Sequence, residues 1–120
     1  MAGDGITFQK ASYNEVIEQA EEEEKFVLLD FTASWCKPCQ LMKKETFTDA
    51  DLGKYVNEHF VSTHVDVQKT EGRSLASKYG IRSIPTLIIL DGKGRIVKTL
   101  IGYQTAEALL QELKPLATLK

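Results

Sequence analysis

Between Phe26 and Phe31 the chain reads Phe-Val-Leu-Leu-Asp-Phe, apolar at every position but one. A run without polar alternation is a strand covered on both faces, since a sheet with one wet face would expose half of these side chains. Covering both faces requires a layered molecule, and in a chain of 120 residues helices on either side of one central sheet supply the layers. The run then breaks through Thr32-Ala33-Ser34 and delivers Trp35-Cys36-Lys37-Pro38-Cys39 to the start of a predicted helix. Pro38 suits its first turn, where a missing N–H has no intrahelical partner to lose.

The rest of the chain supplies the layers. Ile6–Phe8 can form a short first strand. Ser12 or Asn14 caps a helix with Val16, Ile17 and Ala20 on one face, and Glu21–Glu24 reads as its solvated end rather than an acidic docking patch. The cysteine helix carries Leu41 and Met42 inward and ends near Phe47. Asp49 or Asp51 then caps a helix with Leu52, Tyr55 and Val56 on its apolar side. Phe60–Val67 alternates as a strand, Thr70 caps a helix stopped by Gly80, and Thr86–Leu90 and Ile96–Leu100 flank the hairpin turn Asp91-Gly92-Lys93-Gly94. Thr105 caps a last helix through Leu109, Leu110 and Leu113. The order β-α-β-α-β-α-β-β-α predicts one α/β domain over residues 1–120, a mixed sheet of about five strands with helices on both faces. Met1–Gly5 is expected to fray.

Composition narrows the function by exclusion. A net charge of -2 gives no reason to expect nucleic acid or an anionic membrane as partner. No apolar run approaches the ~18 residues of a membrane span, and Met1–Gly5 has neither the basic end nor the apolar core of a signal peptide. Cys36 and Cys39, the only cysteines, are too few and too close for a secreted disulfide framework and belong to a local motif.

The residues point to thiol chemistry. The mouth of a helix favours an anion, so Cys36 is placed to be a thiolate, with Lys37 adding positive charge beside it. Cys39, one turn further in, is expected to be less exposed. The pair then works asymmetrically: Cys36 attacks a substrate disulfide and Cys39 resolves the mixed disulfide. Asp30, among Leu28, Leu29 and Phe31, reads as a buried carboxylate able to take the Cys39 proton as general base; the bland alternative is a solvated carboxylate at a strand edge. Cys36, Cys39, His59 and His64 loosely trace a zinc pattern, but the gap before His59 exceeds the usual ~12–15 residues and His64 lies in an alternating strand. No metal and no bound cofactor is expected; the redox group is the Cys36–Cys39 pair itself. His59 reads as exposed and His64 as a satisfied sheet residue.

Trp35-Cys36-Lys37-Pro38-Cys39 followed by Tyr79-Gly80-Ile81-Arg82-Ser83-Ile84-Pro85-Thr86 strongly resembles the thioredoxin family, and the resemblance runs from about Phe8 to Leu113. It implies the thioredoxin fold, a cis Pro85 facing the dithiol, backbone at Ile84 that pairs with an extended substrate, room for that substrate at Gly102, and Trp35 with Lys37 and Pro38 on the active-site surface. Read without the family, Trp35 is a plain packing aromatic. The implied partners are protein substrates with disulfides and a reductase that supplies electrons, with the chain a monomer. Lys43-Lys44-Glu45-Thr46-Phe47-Thr48-Asp49 is similar to thioredoxin-like domains of bacterial envelope interchange proteins and disulfide isomerases, which favours an extracytoplasmic setting over a cytoplasmic one.

The chain also departs from the family. Thr32 stands where many thioredoxins have a further Trp, and Lys37 replaces the usual Gly between the cysteines. Ser62 is placed at the strand position where they carry a Lys close to the buried Asp. The segment between Asp66 and Lys78 is a few residues longer. No His lies between the cysteines, which favours reduction over the alternatives of isomerase or oxidase. A binding module whose disulfide only switches affinity is the reading from another functional class.

Overall fold

The computed structural model describes residues 4–117. Four strands form one sheet in the order β2-β1-β3-β4: β1 (Phe26–Thr32), β2 (Phe60–Asp66), β3 (Thr86–Leu90) and β4 (Ile96–Ile101). β1 pairs with β2 in parallel, and β1–β3 and β3–β4 are antiparallel. The expected first strand is reduced to a single parallel bridge between Phe8 and Ser62.

Every residue of β1 is buried, as its unbroken apolar run predicts, and alternate side chains serve two different cores. Leu28 points into one with Leu87, Ile89 and Leu100, closed by Met42, Leu52, Val56, Leu109 and Leu113. Val27, Leu29 and Phe31 point into the other with Val61, Val65, Ile88 and Leu90, closed by Val16, Ala20 and Leu75. Helices α3 (Ala50–His59) and α5 (Ala106–Ala117) therefore cover one face, and α1 (Tyr13–Glu23) and α4 (Thr70–Lys78) the other. Leu28 and Leu29 are fully buried, so truncating either to Ala is expected to cost about 2–5 kcal/mol.

The caps follow the sequence closely. Ser12 and Glu15 form a capping box at α1, Asp49 accepts from Leu52 N–H at α3, and the Thr105 hydroxyl accepts from Ala108 N–H at α5. At α4 the cap is Lys69, without a side-chain bond, and Thr70 is the first helical residue. Gly72 lies where a Cβ would collide with the Asp66 carbonyl, so α4 can pack this tightly only with glycine there. The Asp91 carboxylate holds the β3–β4 turn, accepting from the backbone N–H groups of Lys93 and Arg95 and from Arg95 Nε.

The expected fraying at the start falls in part on residues 1–3, outside the described ones. Gly5 is tied down: its carbonyl accepts from Asn57 Nδ2, and Ile6 N–H donates to the Phe47 carbonyl at 2.8 Å. No helix among the described residues is long and apolar enough to cross a membrane.

Candidate active site

β1 ends at Thr32, and the backbone turns through Ala33–Trp35 into α2 (Lys37–Leu41). That turn is braced from the segment after β2. Gln68 Oε1 accepts from both Ser34 N–H and Ser34 Oγ, each at 2.9 Å, and Val67 N–H donates to the Thr32 carbonyl. Gln68, in the segment between Asp66 and Lys78, thus acts as a clamp that the sequence offered no pattern to find.

Cys36 is the N-cap of α2, Pro38 lies in its first turn, and Cys39 N–H donates to Cys36 Sγ at 3.3 Å. The two cysteines are joined in a disulfide. Their expected difference in exposure is slight, 4% for Cys36 and 2% for Cys39. The asymmetry lies instead in the hydrogen bond, which the helix end directs at the Cys36 sulfur.

After Leu41 the helix widens into a π-helical turn, Met42–Thr46. Met42 is fully buried, whereas Leu41, expected to point inward, is 43% exposed. The turn reaches across to the segment after β4: Thr46 Oγ1 donates to the Gln104 carbonyl at 2.6 Å, and Tyr103 Oη donates to Glu45 Oε1 at 3.1 Å. Pi-helical turns of this kind concentrate at functional sites. Here it anchors one end of the loop that begins at Gly102.

Pro85 follows a cis peptide bond from Ile84, and Ile84 packs against the cluster of Ala33, Cys36 and Cys39. Gly102 N–H donates to the Pro85 carbonyl at 2.8 Å. Gly102 sits at φ +93° with nothing within 4 Å of where a Cβ would stand, so the backbone angle demands glycine and the space in front of it is open. Trp35 is 67% and Ile101 69% exposed, which removes the reading of Trp35 as a core aromatic. Lys37 is exposed beside Trp35 and helps line a shallow recess with Ser34, Gln40, Leu41 and Lys44.

Asp30 is 2% exposed, not solvated at an edge, but it is not unpaired. The parallel register sets it opposite His64, whose Nδ1 lies 2.7 Å from Asp30 Oδ2. Ser62, which the resemblance sets at the position of the family's Lys, pairs with Leu28, the next residue along the same face. The reason is visible in retrospect: β1 and β2 both begin Phe-Val and run side by side from Phe26 and Phe60. The fifth residue of each strand is then Asp30 or His64. The His64 ring stacks on Phe8, centroids 3.7 Å apart, and its side chain remains 34% exposed.

Alternation along β1 puts Asp30 on the same face as Leu28. Cys39 and Met42, three apart on one helix, share a face, and Met42 packs in the Leu28 core. Cys39 lies on the Met42 side of its helix, and its buried neighbours are Ala33 and Cys36, with Val67 and Ile84 packed against them. Thr32 is buried on the sheet face of Asp30, and its Oγ1 and Ser62 Oγ make no hydrogen bond to the described residues. Among the described residues no group of three or more His, Cys, Asp or Glu is placed to hold a metal; His64 is engaged with Asp30, and His59 lies near Glu58.

A four-stranded mixed sheet with flanking helices, a cysteine pair opening a helix and a cis proline against it define a thioredoxin fold with a dithiol–disulfide site. The family model for the Thioredoxin-like domain matches residues 13–117, and the chain belongs to that family. It is 42% identical over 98 residues to a thioredoxin from Alicyclobacillus acidocaldarius subsp. acidocaldarius, covering 80% of this chain and 86% of that one. It is 38% identical over 94 residues to a thioredoxin from Bacillus subtilis (strain 168), covering 78% and 84% respectively. Among solved structures, a candidate disulphide-isomerase from Bacteroides thetaiotaomicron superposes with a TM-score of 0.83 at 36% identity, covering 98% of this chain and 97% of that one. The chain is a protein thiol–disulfide oxidoreductase.

Proposed function

We propose that the protein reduces or interchanges disulfides in protein substrates, with Cys36 as nucleophile and Cys39 as resolving thiol. The observation that carries this is the disulfide at the mouth of α2, with Cys36 Sγ receiving the Cys39 N–H. In the reduced protein the Cys36 thiolate attacks a substrate sulfur and expels the other as a thiolate. Cys39 then attacks Cys36 Sγ, re-forming the internal disulfide and releasing the second substrate thiol. Asp30 takes the Cys39 proton in that second step. Trp35, Lys37 and Pro38 on one side and Ile84, Pro85 and Gly102 on the other form the rim on which an extended substrate lies. An external reductase returns the electrons, and the protein works as a monomer. An extracytoplasmic setting is part of the proposal, supported by Lys43–Asp49; fractionation of the native gene product tests it.

Cys36→Ser is expected to abolish insulin-disulfide reduction by dithiothreitol-charged protein, and Cys39→Ser to accumulate covalent mixed disulfides with substrates. Activity that survives loss of Cys36 overturns the assignment. The relative from Bacteroides thetaiotaomicron supports a second reading, disulfide isomerisation. Equilibration with glutathione separates the two, since a value near about -270 mV marks a reductase and one near about -180 mV or above an isomerase or oxidase.

A further inference from the structure

The Asp30–His64 pair reaches beyond the cysteines. Asp30 is buried in the sheet at 2% exposure, which leaves a gap between its carboxylate and solvent. His64 spans that gap. One ring nitrogen meets the carboxylate at 2.7 Å, and the partly exposed ring borders a groove of about 740 Å³ between residues 8–15, the edge of β2 and the start of α4. Phe8, stacked on the ring, and Phe47, with its centroid 6.1 Å away, fix the imidazole plane so that Nδ1 stays on the carboxylate. An imidazole has two nitrogens that can each carry a proton, so one can hold the carboxylate while the other is left for the groove.

We propose that His64 is the positioning residue that releases a proton to water as Asp30 takes the one from Cys39. This rests on Asp30 being the base for Cys39. In the resolving step Cys39 Sγ–H transfers its proton to Asp30, the resulting thiolate attacks Cys36 Sγ, the bond from Cys36 to the substrate sulfur breaks, and the substrate leaves as a thiolate. Asp30 starts as a carboxylate that accepts from Nδ1–H of the His64 imidazolium, and that bond keeps its proton throughout. As Asp30 gains the Cys39 proton on its other oxygen, the imidazolium loses its counter-charge and releases the proton on Nε2 to the groove. Net, one proton has moved from Cys39 to solvent, leaving a neutral acid beside a neutral imidazole. When a donor reduces the disulfide, the same steps in reverse reload Cys39 and restore the ion pair. The other charged groups lining the groove are Lys10 and Glu15 before β1, Asp66 and Lys69 after the strand, and Glu71 on α4. None of them occupies the register position opposite Asp30.

The test is a single turnover of reduced protein with 5,5′-dithiobis(2-nitrobenzoate), followed between pH 6 and 8. The first thionitrobenzoate released reports attack by Cys36, and the second reports resolution by Cys39. His64→Ala is expected to leave the first phase unchanged, slow the second by at least about 10-fold, within reach of general acid–base contributions, and flatten its pH profile. Imidazole in the buffer is expected to restore the second phase. His64→Asn, whose amide keeps a hydrogen-bond donor near Asp30, is expected to be as slow as His64→Ala. A normal second phase in both His64 variants overturns the proposal, and so does a slowed one that imidazole does not rescue. Asp30→Asn separates the two levels. If it slows the second phase while the His64 variants do not, only the role of His64 falls; if its second phase is normal, the role of Asp30 falls, and that of His64 with it.

Discussion

Two hydrogen-bonded pairs of titratable side chains, on opposite faces of the sheet, are built from different chemistry. On the cysteine side Asp30 meets His64 between neighbouring strands. On the opposite side Tyr13, the first residue of α1, meets Tyr79, just past the end of α4, hydroxyl to hydroxyl at 2.5 Å. Lys78 Nζ lies over both tyrosine rings, 5.0 and 5.4 Å from their centroids. Burial, and then the bond from Tyr13, push the Tyr79 phenol well above its ordinary value. Such a group stays neutral through the whole working range of a thiol enzyme. It can staple two helices but cannot pass protons near neutrality. The carboxylate–imidazole pair is the one proposed to pass them, and it lies on the sheet face that also buries Met42, next to the cysteine helix.

Breaking each pair should therefore have opposite signatures. The largest effect is expected on the cysteine side: Asp30→Asn should reduce resolution by Cys39 by about 10²-fold, the lower end of general acid–base contributions, in single-turnover kinetics. Insulin reduction would fall with it. A full rate would make the two pairs alike, both merely structural.

On the other face, Tyr79→Phe should leave insulin reduction unchanged and cost about 1 kcal/mol of stability, the net worth of one hydrogen bond, in urea denaturation. The pH dependence sharpens this. Because the folded protein holds the phenol above its unfolded value of about 10, its contribution is complete below that pH and is lost as pH rises through the folded value. Wild-type stability should therefore fall above pH ~10 more steeply than that of Tyr79→Phe.

The smallest effect is expected far from both pairs, in the β3–β4 turn. Burial pushes the Asp91 carboxyl up, but hydrogen bonds from the Arg95 and Lys93 backbone and from the Arg95 guanidinium outweigh it and hold the group below the usual carboxylate range. Arg95 is 73% exposed, so solvent screens the ion pair. Asp91→Asn should cost no more than about 1 kcal/mol at neutral pH. The folded value lies below the unfolded one, so the wild-type advantage should be present above pH ~4 and shrink as pH falls through the folded value. Thermal denaturation at pH 7 and pH 3 measures it.

The contrast between the faces also marks how far the residues speak for themselves. The unbroken apolar run of β1 required two covered faces, Pro38 and Cys36 marked the start of a helix, and Ser12, Asp49 and Thr105 announced their caps. These signals are local: a period, a missing N–H, a side-chain oxygen within reach of the next turn. The four-stranded core of the sheet and the place of both cysteines follow from them. The first strand shrank to a bridge at Phe8 because that segment meets only the edge of β2, and Leu41 turned outward as the helix widened into its π-helical turn.

Other assignments waited on three dimensions. That His64 and not Ser62 faces Asp30 depends on the register of two strands separated by a helical crossover, and a slip of two residues would have kept every side chain on its face while changing the partner. Gln68 bracing Ser34, and Thr46 and Tyr103 tying the cysteine helix to the Gly102 loop, join residues 34 and 58 positions apart. No local pattern records such contacts, because they exist only once the sheet has brought the segments together. The sequence by itself determined which chemistry this protein carries; the tertiary structure decided that the buried Asp30 is hydrogen-bonded to His64 at the edge of a groove, because only the strand register brings the two together.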